Sequence, residues 1–218
     1  MSKKMILFDL DGTLWDSSLQ VAMSWTETIK RVAPETHIVI TKDFMHRAMG
    51  KVMEEIKNMM FEEASVEVDP IRQEEIYQAC SDEEIDYIEK HGGVLYPAVE
   101  ETLQKLSKQY KLGIVSNCQC GYIEAFLSYT GFEKYISEIE SYGNTGLEKG
   151  DNIKLVVERC GYSSDEVVYV GDIMGDYQAS MKAGVHFIHA AYGFGSVPEG
   201  TPYVNAFSEL DNIAIDNA

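Results

Sequence analysis

The chain has 218 residues, 45% of them hydrophobic and 25% charged, proportions that suit one globular core with room for a smaller accessory domain and that argue against disorder. With 36 acidic against 18 basic residues the formal net charge is −18, which repels nucleic acid and anionic lipid over most of the surface and excludes both as general partners. The same charge repels a phosphorylated ligand, so any such ligand needs a local cation, either a metal or a focused Lys/Arg cluster.

The first element is Met5 to Phe8, a short apolar run stopped by Asp9-Leu10-Asp11-Gly12-Thr13, which reads as a buried strand ending in a turn. The basic start, Met1 to Lys4, is followed by too few apolar residues for a signal segment. No later apolar run approaches the roughly 18 residues of a membrane span. From about Trp15 to Gly92 the texture changes: there is no convincing buried strand, Met and Glu are abundant, and the apolar spacing through Met49, Met53, Ile56 and Met60 is helical. Ser17-Ser-Leu-Gln20 has the form of a capping box that starts the first helix, and Gly92-Gly93 is a hinge for the return.

Beyond that hinge, strand and helix alternate. Tyr96 to Gln109 carries Val99, Leu103 and Leu106 at helical spacing, and Lys111 to Ser116 is a strand that ends in Ser116-Asn117. Ile153 to Cys160 gives another helix, ended by Gly161, and Val167 to Val170 a strand that ends in Gly171-Asp172. Val185 to Ile188 and Tyr203 to Ala206 supply later strands. The alternation is that of parallel βαβ units and predicts an α/β fold: a doubly wound parallel sheet of five or six strands with a smaller all-helical insert. The expected domains are a core of residues 1–14 and 94–218 and a helical cap of residues 15–93.

In such sheets ligands bind at the carboxyl ends of the strands. Asp9, Asp11, Ser116, Asn117, Asp172 and Asp176 all fall there and converge on one crevice. Carboxylates that flank a single residue, as in Asp9-Leu10-Asp11, can place one side chain at a reacting centre and the other beside it as acid and base. Adding Asp172 makes a cluster whose repulsion calls for a cation, and Mg²⁺ suits it because it takes oxygen ligands and a substrate phosphate. Taken alone, Asp9 to Thr13 would be a solvated Asp-Gly turn.

The motifs occur in order: Asp-x-Asp-Gly-Thr, then Ser-Asn, then Lys149 before a helix, then Gly-Asp-x-x-x-Asp. In that order they resemble the haloacid dehalogenase superfamily of phosphotransferases over nearly the whole chain, and most of all its phosphoglycolate phosphatase-like members, which carry a helical cap after the first motif. The resemblance implies that Asp9 is the nucleophile, that Asp11 is the acid and base, and that Lys149 neutralises charge on Asp9 and the phosphoryl group. It implies that Ser116 binds the phosphoryl oxygens, that Asp9, the carbonyl of Asp11 and Asp172 hold Mg²⁺, and that Asp176 positions Lys149 or a metal-bound water. Asn117 is expected to add an amide at the start of the next helix. Asp11 argues for ester or mutase chemistry, because dehalogenases and phosphonoacetaldehyde hydrolases of this superfamily do not keep an Asp there.

The expected activity is Mg²⁺-dependent hydrolysis of a small, phosphoglycolate-like phosphate monoester. A β-phosphoglucomutase-type isomerase and a non-catalytic module on the same fold stand as alternatives. Substrate choice is assigned to the insert, with Arg47, Gly50 and Lys51 expected to read the leaving group. Cys80, Cys118, Cys120 and Cys160 lack zinc or redox spacing, which fits reduced thiols in a cytoplasmic monomer or homodimer.

Overall fold

The computed structural model describes residues 3–211 and 215. The outermost residues of the expected core, 1–2, 212–214 and 216–218, lie outside that range. Strand β1 (Met5–Phe8) runs into a turn and a two-residue strand β2 (Trp15–Asp16). Four helices follow: α1 (Ser18–Val32), α2 (Lys42–Ala48), α3 (Met53–Ala64) and α4 (Pro70–His91). Strand β3 (Val94–Leu95) pairs antiparallel with β2 and so brings the two ends of this helical insert together.

The rest alternates as the sequence predicts: α5 (Val99–Leu106), β4 (Lys111–Ser116), α6 (Tyr122–Thr130), β5 (Glu138–Ser141), a short α7 (Tyr142–Thr145), α8 (Lys149–Arg159), β6 (Val167–Gly171), α9 (Met174–Ala183), β7 (His186–Ala190) and β8 (Tyr203–Val204). Six strands form one parallel sheet in the order β5-β4-β1-β6-β7-β8. This is a doubly wound α/β fold, and no helix among the described residues is long and apolar enough to cross a membrane.

β1 is apolar throughout because it is central and covered on both faces. Met5 and Leu7 face a layer that includes Ile153 and Val156 of α8, whereas Ile6 and Phe8 face the larger cluster shared with α6 and the insert. β5 escaped the apolar-run criterion because it is an edge strand with charged residues: Glu138 pairs with Lys111 at 2.7 Å and with Arg159 at 3.0 Å, and Glu140 with Arg159 at 3.0 Å.

In the insert, Thr41 caps α2 by accepting from Phe44 N, and Asp69 caps α4 by accepting from the amides of Ile71 and Arg72, with Pro70 at the first helical position. α1 packs on α4, and α4 leans on α6, so the insert buries part of its apolar surface against one face of the core. Two local expectations change. The run Met49 to Met60 is not one helix: the chain breaks at Gly50, with φ of +79°, and restarts at Met53. Ser17 does stand at the cap of α1, but its hydroxyl makes no cap bond there and turns to Asp11 instead, while Gln20 Oε1 is buried without a partner.

Candidate active site

The carboxyl end of the sheet gathers the polar side chains. Asp9 and Asp11 leave the end of β1, and the turn that redirects the chain needs Gly12 at φ of +90°. A Cβ on Gly12 would lie 2.2 Å from Asp172 Oδ2, so only glycine lets the first turn and the end of β6 approach this closely. Lys149, the first residue of α8, is 4% exposed and sends its ammonium between two carboxylates, 2.9 Å from Asp9 Oδ1 and 2.7 Å from Asp176 Oδ1. The other oxygen of Asp176 accepts from the amides of Asp172 (3.0 Å) and Ile173 (3.2 Å) at the start of α9, where the helix favours negative charge.

Asp172 is fully buried. Its Oδ2 accepts from Phe194 N at 2.7 Å, its Oδ1 lies 3.4 Å from Thr13 Oγ1, and its carbonyl is 3.1 Å from His189 Nε2. Oxygens of Asp9, Asp172 and Asp176 lie within 4.8 Å of one another, with Lys149 the cation bonded to two of them. This donor set fits a divalent cation, since all the ligands are hard oxygens and one ammonium leaves the cluster short of positive charge.

The charges record that shortage. Burial pushes Asp172 up to about 8, helped by the charges of Asp176 and Asp9. Burial likewise raises Asp9 to about 6, with Asp176 adding and Lys149 opposing. For Lys149 burial works against the ammonium, yet the charges of Asp176 and Asp9 outweigh it and hold its pKa above the ordinary lysine value. Asp11 has a separate surrounding. It is not bonded to Lys149, accepts from Ser17 Oγ and, at 3.3 Å, from Tyr122 OH, and burial, with the charge of Asp9 adding, raises it to about 7 against those hydrogen bonds.

Ser116, at the end of β4, is buried in the same crevice. Asn117 is placed differently from expectation. α6 begins only at Tyr122, after Gly121 at φ of +89°, so Asn117 does not sit at a helix start. Its amide instead donates to Gly50 O at 2.8 Å, which ties the core to the loop between α2 and α3, and its Oδ1 is buried without a protein donor. Gly50 has φ of +79°, a conformation that favours glycine, and a Cβ there would meet only the movable end of Ile173.

Gly50 and Lys51 line the cavity above Asp9, but Arg47 does not. Arg47 points outward from the last turn of α2, bonded to its own helix at Asp43 O and paired with Glu63 in solvent. Lys51 lies 3.4 Å from Glu55, with both side chains largely exposed. The expectation of two cations beside the leaving group therefore reduces to one. Three residues that the sequence reading passed over belong to the site: Ser17, read as a cap; Tyr122, whose hydroxyl bridges Ser17 (2.8 Å) and Asp11; and Glu84 of α4, buried in the cavity wall. Of these only Glu84 left a signal, because it continues the buried stripe Ile76, Cys80, Glu84, Ile88 at four-residue spacing.

Comparison with known proteins agrees with this geometry. The model of the haloacid dehalogenase-like hydrolase family matches residues 6–190. The chain belongs to that family. Family members similar to it include phosphoglycolate phosphatase from Aliivibrio fischeri, 27% identical over 199 residues that cover 88% of this chain and 85% of the relative. Phosphoglycolate phosphatase from Escherichia coli K12 is 27% identical over 205 residues, covering 87% and 81%. Among solved structures, a haloacid dehalogenase-like hydrolase from Bacteroides fragilis superposes with a TM-score of 0.79 at 26% identity, covering 96% of this chain and 100% of that one. CbbY from Rhodobacter sphaeroides, in complex with phosphate, gives 0.75 at 18% identity, covering 95% and 96%, a likeness of fold.

Proposed function

We propose that this hydrolase is a Mg²⁺-dependent phosphatase that cleaves a small phosphate monoester through an aspartyl-phosphate on Asp9. The observation that carries the proposal is the division of labour between the two carboxyls of the first turn. Asp9 is held by Lys149 in the cluster, and Asp11 sits apart on Ser17 and Tyr122 with its pKa raised to about 7.

Asp9 supplies the attacking oxygen, and Lys149 offsets the charge that gathers on it and on the phosphoryl oxygens. As the ester P–O bond breaks, Asp11 gives its proton to the leaving alkoxide, a step suited to a carboxyl still protonated near neutrality. The same Asp11, now ionised, takes a proton from the water that attacks phosphorus, releasing phosphate and restoring Asp9. Ser116 donates to a phosphoryl oxygen. The divalent cation, held by Asp9, the carbonyl of Asp11 and Asp172, would neutralise the phosphate dianion among the carboxylates. Asp176 fixes Lys149 and, through two amides, the backbone of Asp172.

Residues 15–93 serve in this reading as the lid over a core of 1–14 and 94–218, with the β2–β3 ribbon as its attachment. The names of the relatives make phosphoglycolate the reference ester. The free thiols of Cys80, Cys118, Cys120 and Cys160 are in keeping with the cytoplasm. The test is phosphate release from a panel of esters with Mg²⁺, together with mass spectrometry of acid-quenched enzyme. Phosphate should appear on the peptide that carries Asp9. A protein that isomerises a sugar phosphate without net phosphate release, or that turns over substrate with no phosphopeptide, would overturn the reading.

A further inference from the structure

The wall of the cavity that faces Asp9 from the insert is made by Val21, Trp25, Met45, Met49, Met53 and Ile56, all apolar. The charged side chains of the insert that line it, among the described residues, are Lys51 and Glu84. They differ in standing. Lys51 is half-exposed and within reach of Glu55, so it is solvated and screened. Glu84 is 5% exposed, on the buried stripe of α4, and its Oε2 accepts the indole N–H of Trp25.

A carboxyl group in an apolar wall is costly unless it is hydrogen-bonded; Trp25 donates to one oxygen, and Gln119 also favours the charged form, yet the group still lines the cavity. The cavity volume is about 40 Å³, so the occupant over Asp9 is small. An ester bearing a carboxylate would set a third acidic group between Asp11 and Glu84. Burial, with the charge of Asp11 adding, already pushes Glu84 up to about 8, so the wall disfavours further negative charge. An N–H or O–H donor, by contrast, would bond an acceptor carboxyl that lines the cavity.

Resting on the phosphatase reading above, we infer that Glu84 determines specificity, and that the substrate's leaving group is small, not anionic, and carries a hydrogen-bond donor, a hydroxyl or an amine, that binds Glu84. This separates the chain's substrate from phosphoglycolate, the ester in its relatives' names. The core reads the phosphoryl group, which all such esters share, so selectivity has to come from the insert, where Glu84 is the buried polar side chain turned to the cavity.

The test uses four esters on one two-carbon scaffold: 2-hydroxyethyl phosphate, 2-aminoethyl phosphate, ethyl phosphate and phosphoglycolate, with p-nitrophenyl phosphate as a general reporter. At least one donor ester should exceed both ethyl phosphate and phosphoglycolate in kcat/KM by about tenfold or more, chiefly through KM. Glu84→Ala should erase that margin. Glu84→Gln, which preserves shape, tells the sources apart: it keeps the margin for a hydroxyl, since an amide oxygen still accepts, and loses it for an ammonium, which needs the charge. Phosphoglycolate equal to or better than both donor esters in the wild type overturns the inference, as does a margin that survives Glu84→Ala; either leaves the phosphatase reading intact. Failure to hydrolyse any ester, p-nitrophenyl phosphate included, overturns both.

Discussion

The crevice has two walls of opposite character. The sheet side is a charged cluster in which the oxygens are tied down: Lys149 bridges Asp9 and Asp176, amides hold Asp176 and Asp172, and glycine at position 12 permits the approach. The insert side is apolar, with Glu84 the buried polar side chain. In the proposed reading the first wall acts on the phosphoryl group, which all such esters share, and the second wall tells esters apart. Substitutions on the first should therefore abolish turnover, and those on the second should redistribute it among substrates.

The largest effect is expected at Asp9. Asp9→Asn keeps the shape and removes the proposed nucleophile, so turnover on every ester should fall by roughly three orders of magnitude or more. Stopped assays on purified, folded protein check this, and a folded variant with near wild-type rates would end the proposed chemistry. Metal removal comes next. Chelation should bring turnover to background and Mg²⁺ should restore it, because the acidic cluster and a phosphate dianion cannot share the crevice on one ammonium alone. Asp172→Ala should resemble the chelated enzyme and resist rescue at ordinary Mg²⁺ concentrations. Full activity in chelator, with metal content verified, would remove the cation from the account.

A smaller effect, which sharpens the separation of Asp9 from Asp11, is expected from Ser17→Ala and Tyr122→Phe. Each deletes a hydroxyl bonded to Asp11. Both bonds favour the ionised carboxyl, so losing either should raise the pKa of Asp11 above its value of about 7. The limb of the pH–rate profile that reports Asp11 should move to higher pH, and kcat should fall by about tenfold as the group loses its orientation. A pH profile that does not move would mean that the hydroxyls are structural only.

What could be read in the sequence follows the same division. Strands β1, β4 and β6 are central and covered on both faces, so they appear as apolar runs, and the polar residues that meet in the crevice lie at or just past their carboxyl ends. A single strand end thus places Asp9 beside Asp11, Ser116 beside Asn117, and Asp172 four residues from Asp176. The insert wall has no such local rule. Met45, Met53 and Ile56 meet Trp25 and Glu84 only because α1 and α4 pack together and the chain breaks at Gly50, a tertiary fact. Arg47 and Lys51 drew notice as rare cations in an acidic chain, but at positions 47 and 51 one side chain leaves a helix end toward Glu63 while the other reaches the cavity mouth. Tyr122 had no signal, since it lies 111 residues from the Asp11 it touches.

The smallest effect concerns the stability of the apolar wall and follows from linkage. Glu84 has an ordinary value of 4.5 and, when buried, about 8, so the folded protein binds its proton more tightly than the unfolded chain does. Its contribution is fully present below about pH 4.5 and is lost as the pH rises through about 8, since in that window the folded state keeps a proton that the unfolded state has released. Asp9, Asp11 and Asp172 are also raised, to about 6, 7 and 8, and would add the same trend in metal-free protein. Saturating Mg²⁺ favours their ionised forms and removes most of that background. Measured by urea unfolding in Mg²⁺ between pH 5 and 8.5, wild type should therefore lose stability relative to Glu84→Gln, by on the order of 4 kcal/mol across the window, because the amide does not titrate. At pH 5 the two proteins should be close, since a neutral carboxyl and an amide can both accept from Trp25. Parallel curves would show that Glu84 is ionised throughout, as a cation-holding wall would require, and would shift the expected leaving group from hydroxyl toward amine.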